Sequence, residues 1–158
     1  MDGDAIRSQL PRPLSFSKQD RDSHGRRLGS LAQDLNRKGI ISVVAAITPY
    51  GETREHNRQQ IKNYIEVFCS CPVAVAERRD SRGLYAKARS GKITHFTGIS
   101  DPYEEPVAPE VVACTDREDI DTCLGRILHY LEKQGLIHLR PQPSRAQETQ
   151  PGDFTPAS

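Results

Sequence analysis

Tryptophan is absent from this 158-residue chain, methionine occurs once and aromatic residues make up 6%, so any core rests on aliphatic side chains and any stacking surface on a few rings. No apolar run approaches the roughly 20 residues that a bilayer-spanning helix needs, no positive-then-apolar signal pattern opens the chain, and mean hydropathy is -0.64; these absences predict a soluble, cytoplasmic protein without membrane contact. Neither sign of charge is in excess. With 22 Lys plus Arg against 21 Asp plus Glu, the net charge of +1 gives no global attraction to nucleic acid, so any anion affinity has to be local. The four cysteines, Cys69, Cys71, Cys114 and Cys123, lack paired C-x-x-C spacing and have no histidine placed to complete a zinc site, which predicts buried, structural thiols. A Gly-x-x-x-x-Gly-Lys-Ser/Thr stretch is missing too, and with it the backbone cradle and lysine that usually hold nucleotide phosphates.

What is present is enough for one domain: 35% hydrophobic residues in 158 support a modest core. Residues 1–16 are rich in Pro, Ser and Arg without periodicity and read as loop. Ser17-Lys18-Gln19-Asp20 has the form of a capping box, and Leu28, Leu31, Ala32 and Leu35 recur at helical spacing up to the breaker Gly39. Ile40 to Ile47 is a β-branched, near-continuous apolar run, the pattern of a strand covered on both faces. A polar helix is predicted from about Glu52 to Lys62, a second buried strand over Tyr64–Cys69, and a short helix opening at Pro72 and running to about Arg79. Another helix fits Gly83–Arg89, ordered loop fits Ser90–Pro109, a third strand fits Val111–Cys114, and a final helix carries Leu124, Ile127, Leu128 and Leu131 to a stop near Gly135. Strand and helix in alternation predict an α/β fold with a parallel sheet flanked by helices. The domain is assigned to residues 1–139, and residues 140–158, rich in Pro, Gln and Ser, are expected to be a disordered tail.

The densest pattern is the run Arg79 to Arg89, followed by His95-Phe96-Thr97-Gly98-Ile99 and Asp101-Pro102-Tyr103, which reads as a lid over a ligand. Together with Asp2-Gly3-Asp4 and Arg7, Phe16-Ser17, Asp20-Arg21, Arg26-Arg27, Ile47-Thr48-Pro49-Tyr50 and Ile65-Glu66-Val67-Phe68, this series closely resembles the adenylyl-sulfate kinase (APS kinase) family from Asp2 to about Ile137. The resemblance implies a P-loop-kinase-like fold and transfer of phosphate from ATP, with Mg2+, to the 3′-hydroxyl of adenosine 5′-phosphosulfate (APS), giving PAPS in sulfate assimilation. It implies that Arg7 and Arg21 clamp the phosphosulfate with forked, charge-assisted bonds, and that Phe16 and Phe96 stack the adenine. It also implies catalytic roles for Asp4, beside the 3′-hydroxyl, and for Thr48, at a position linked to phosphorylation, with His24, Lys87, Thr97 and Gly98 contributing to the APS site. Arg54 and Arg58 fall where the family gathers positive charge around phosphates.

Against the family pattern, the first strand, the P-loop, the first helix and the second strand have no counterpart here, because Met1 stands immediately before Asp2. In the related fold that first strand lies between the strands matched by residues 40–47 and 64–69, so both are expected to lose ladder partners. Ala5, Gln9, His24 and Gly51 replace the family's Asn, Gly, Asn and Arg, while Thr48 keeps the hydroxyl of the family's Ser. The sequence therefore leaves three readings open: a kinase not competent alone without a P-loop; a non-catalytic APS- or PAPS-binding protein that pairs with itself or with a complete kinase; or a degenerate remnant.

Overall fold

The computed structural model describes residues 1–138, and the expected tail from residue 140 lies outside the described residues. Helix α1 spans Gly3–Ser8, and it corrects the expectation of a plain loop before residue 16. Its signal was local: Asp2 Oδ1 accepts from the Ala5 amide at 2.8 Å, the bond of an N-cap aspartate. Helix α2 spans Lys18–Arg37, with Ser17 capping the Asp20 amide as its capping box foretold. Helix α3 spans Gly51–Gln60.

The α2–α3 crossing depends on glycine. A Cβ on Gly25 would lie 2.7 Å from Thr53 Cγ2, and one on Gly29 would overlap the Asn57 amide, so only bare backbone lets α3 approach this closely. Asn57 Nδ2 uses the approach to donate to the Gly25 carbonyl at 3.1 Å. Leu28 and Ala32 are buried along the same side of α2.

Strand β1, Val67–Ser70, pairs in parallel with β2, Val111–Cys114, from Val67↔Val111 to Ser70↔Cys114. The predicted strand at 64–69 thus starts later, although the Val111 amide already donates to the Glu66 carbonyl at 3.2 Å. Between the strands run α4, Val73–Arg78, capped at Pro72, and α5, Leu84–Arg89, then loop from Ser90 to Glu110. Helix α6, Ile120–Lys133, is fastened to β2 by Arg126, whose guanidinium donates to the Val112 carbonyl and makes a two-armed pair with Glu118 at 2.9 and 2.6 Å. The whole is α/β with a two-stranded parallel sheet among the described residues.

The apolar run Ile40–Ile47 is not a ladder-forming strand. It makes a parallel bridge between Ala45 and Asp2, in which the Gly3 amide donates to the Ala45 carbonyl and the Ala45 amide to the Met1 carbonyl, each at 2.9 Å. A strand exists through its neighbours, and among the described residues only Met1–Gly3 pair with this stretch. Its side chains stay outside: Ile41, Val43 and Ile47 are 65%, 75% and 62% exposed. The buried apolar set is accordingly small, namely Leu28, Ala32, Tyr50, Ala88, Val111 and Ala113. The thiols depart from expectation as well, with Cys69 exposed on β1, where nothing described covers its face, and the other three half-buried.

Candidate active site

Two loops and two helices meet around Arg21. From α2 its Nε donates to the Phe16 carbonyl at 3.0 Å, and its terminal nitrogen donates to the His95 carbonyl at 2.9 Å. Burial pulls the guanidinium below its ordinary range, joined by the nearby Arg7 charge and opposed by the Asp101 carboxylate. The Phe16 ring is in contact with two cations, 4.5 Å from the Arg7 guanidinium and 5.1 Å from that of Arg21. Arg7 itself donates to the Leu14 and Ser15 carbonyls. Both predicted phosphosulfate arginines are therefore assembled on one ring, and both spend their donors on backbone oxygens.

Phe96 sits in a tight turn whose carbonyl accepts from the Ile99, Ser100 and Asp101 amides at 3.0–3.1 Å. Gly98, with φ of +83°, donates its amide to the Asp101 carbonyl at 2.8 Å, a left-handed position that favours glycine. The ring of Phe96 packs edge-on against Tyr85 of α5, with centroids 4.9 Å apart. Lys87 is exposed on that same helix, so the predicted lid residues occupy adjoining elements.

His24, one turn after Arg21, is 7% exposed. Its Nε2 meets the Gly3 carbonyl at 2.9 Å and must carry the proton, since a carbonyl only accepts. Burial pushes its pKa below 6.5, against the pull of that carbonyl, so the neutral ring presents a lone pair at Nδ1. That Nδ1 is buried without a partner, and so is Thr97 Oγ1. Buried polar atoms left unsatisfied are uncommon and point to a missing hydrogen-bonding group. Asp4 is exposed on α1. Thr48 adopts φ of +41°, and its carbonyl accepts from Arg54 at 2.9 Å.

Arg54 and Arg58, read from sequence as phosphate-facing, are otherwise engaged. Arg54 is 9% exposed and its Nε lies 2.7 Å from Glu66, while Arg58 bonds both Glu66 and Glu110. Burial is the largest influence on Glu110 and would raise it, but the Arg58 hydrogen bond and charge together with backbone amide bonds, that of Glu66 among them, outweigh it and hold the carboxyl below its usual range. These charges join α3 to the start of β1 and β2. Asp101, quoted in the sequence only as part of the lid pattern and given no role of its own there, has its carboxylate 3.2 Å from His95 Nδ1 and 3.4 Å from the Tyr50 hydroxyl.

The pattern of the family described as Adenylylsulphate kinase matches residues 1–114. The chain belongs to the adenylylsulphate kinase family. It is 49% identical over 137 residues to the adenylyl-sulfate kinase of Synechococcus sp. (strain JA-3-3Ab), covering 87% of this chain and 78% of that protein. The structure of the Mycobacterium tuberculosis APS kinase in complex with AMPPNP and APS superimposes with a TM-score of 0.78 and 41% identity, over 84% of this chain and 78% of that one. A hexameric APS kinase from Thiobacillus denitrificans matches with a TM-score of 0.63 and 28% identity, over 89% of this chain and 23% of its own. The solved relatives are adenylylsulphate kinases, so the P-loop-kinase-like character expected of the fold is that of its neighbours. No described helix is long and apolar enough to cross a membrane.

Proposed function

We propose that the chain binds APS between Phe16 and the Phe96–Gly98 turn and serves its ATP-dependent phosphorylation at the 3′-hydroxyl to give PAPS. The observation that carries this reading is the pair of buried, unpartnered atoms, His24 Nδ1 and Thr97 Oγ1, on segments that Arg21 bonds together. A nucleotide supplies what they lack: hydroxyl donors for the lone pair of His24, and base or ribose atoms for the threonine hydroxyl. The phosphosulfate draws the Arg7 and Arg21 forks from their carbonyls, exchanging neutral acceptors for charged ones. The base, lying on Phe16 or Phe96, gains stacking from either ring.

Asp4 is an exposed carboxylate that forms no salt bridge among the described residues, which suits a group that takes the 3′-hydroxyl proton. It also fits Mg2+, an ion held largely by substrate phosphates with one or two carboxylates; when bound, magnesium neutralises charge on the phosphates. Lys87 brings a further positive charge from α5, and Thr48 keeps a hydroxyl beside the α3 start. The reaction is phosphoryl transfer governed by positioning and charge.

The test is Mg-ATP-dependent conversion of APS to PAPS by the chain against an Asp4→Asn control, with APS and ATP affinities measured by calorimetry. Phe96→Ala is expected to weaken APS binding about tenfold or more while sparing ATP; equal losses for both ligands overturn the pocket.

A second reading, a non-catalytic APS- or PAPS-binding protein that works with itself or a complete kinase, is favoured by the exposed Ile41, Val43 and Ile47. Saturable APS binding without turnover, and a shift in sedimentation when a complete kinase is added, supports it over the first.

A further inference from the structure

We infer that Asp101 is a positioning residue that holds the base-binding turn in place, an inference that rests on the proposed APS site. Its side chain is 15% exposed and its two oxygens face different segments: Oδ1 lies 3.2 Å from His95 Nδ1, and Oδ2 is 3.4 Å from the hydroxyl of Tyr50, a ring 4% exposed at the start of α3. The main chain of the same residue closes the turn, donating to the Phe96 carbonyl at 3.0 Å and accepting from the Gly98 amide at 2.8 Å.

His95 is what makes the carboxylate necessary. It holds φ of +57°, a left-handed conformation uncommon outside glycine, although histidine enters it more readily than most residues. Two bonds fix it here: Arg21 takes its carbonyl and Asp101 takes its ring. The residue after it is Phe96. A rotation at His95 would therefore swing the stacking ring away from Tyr85 and displace Thr97 and Gly98 with it. Asp101 thus ties α2, the start of α3 and the turn into one arrangement without itself touching the nucleotide.

The test compares Asp101→Ala with Asp101→Asn. Alanine removes both acceptors, and about a tenfold rise in the APS dissociation constant is expected, with ATP affinity within about twofold of wild type. Asparagine keeps one acceptor and adds a donor that either partner can accept, so APS affinity is expected within about threefold of wild type. Hydrogen exchange on the free protein adds a readout that needs no ligand. In Asp101→Ala the amides of Gly98–Asp101, each bonded within the turn, are expected to exchange about tenfold faster, while those of β1 and β2 are unchanged, which also shows that the variant folds. Unchanged exchange and APS affinity in Asp101→Ala overturn the inference, as does an Asp101→Asn variant as impaired as the alanine. A Phe96→Ala variant that binds APS normally removes the proposed site instead, with the exchange result still deciding what Asp101 holds.

Discussion

Arg21 reaches across 74 positions of sequence to bond the His95 carbonyl, at 2.9 Å, while its Nε holds the Phe16 carbonyl five residues away. One planar fork thus sets the spacing between the two segments that carry Phe16 and Phe96, the rings proposed to stack the base. Lysine keeps the charge but not the fork. Arg21→Lys is expected to weaken APS binding about tenfold with little change for ATP, read by titration calorimetry; unchanged APS affinity would sink the bridging role.

The helix crossing makes a second case. Gly29→Ala drives a methyl into the Asn57 amide, which cannot withdraw without giving up its bond to Gly25. A loss of about 1–3 kcal/mol is expected in urea unfolding. Gly125, in α6, has nothing within 4 Å of its missing Cβ, and Gly125→Ala is expected to gain about 0.5–1 kcal/mol. The opposite signs on two helical glycines separate packing from backbone entropy.

His24 sets a pH dependence whose sign follows from burial. Its folded-state pKa is below the ordinary 6.5, so near that pH the unfolded chain binds more protons than the folded one. Stability from this group is whole above about 6.5 and falls as the pH drops through that value toward the folded pKa. In His24→Asn the slope of unfolding free energy between pH 7 and pH 5 should flatten, and a slope identical to wild type would contradict the assignment.

The charged joint between α3 and the strands predicts a large loss from a small change. Glu66→Gln removes the carboxylate that faces Arg54, 9% exposed, and leaves the buried cation only neutral acceptors, the glutamine oxygen and the Thr48 and Glu104 carbonyls. The expected cost is about 3–5 kcal/mol, measured by denaturant unfolding. Glu110 adds a second sign: its depressed pKa stabilises the fold above the usual 4.5, and that contribution fades as the pH falls through the folded value.

Legibility from sequence followed the range of the signal. The Ser17 cap, the Val111–Cys114 strand and the stop at Gly135, whose φ is +67°, are set by residues within one turn or one strand, and each was readable. Helix α1 carried its Asp2 cap in plain view, but Pro, Ser and Arg nearby masked it. The stretch 40–47 has strand chemistry, yet whether it forms a ladder depends on what lies beside it. Arg54 and Arg58 looked like free cations because Glu66 and Glu110 reach them from other elements, the latter 52 residues from Arg58. At the site, the family pattern named Arg21, Phe16 and Phe96, and the structure joins them; the role of Asp101 emerges only when Tyr50 and His95 are seen on its two oxygens.

The short roster of buried apolar side chains has a thermal consequence. The heat-capacity increment of unfolding comes mainly from wetting apolar surface, and here much of that surface, Ile41, Val43 and Ile47 included, is wet in the native state. The increment should fall below the roughly 12–15 cal/mol/K per residue of ordinary domains, seen as a small baseline step across the melt in scanning calorimetry and as a flatter stability curve.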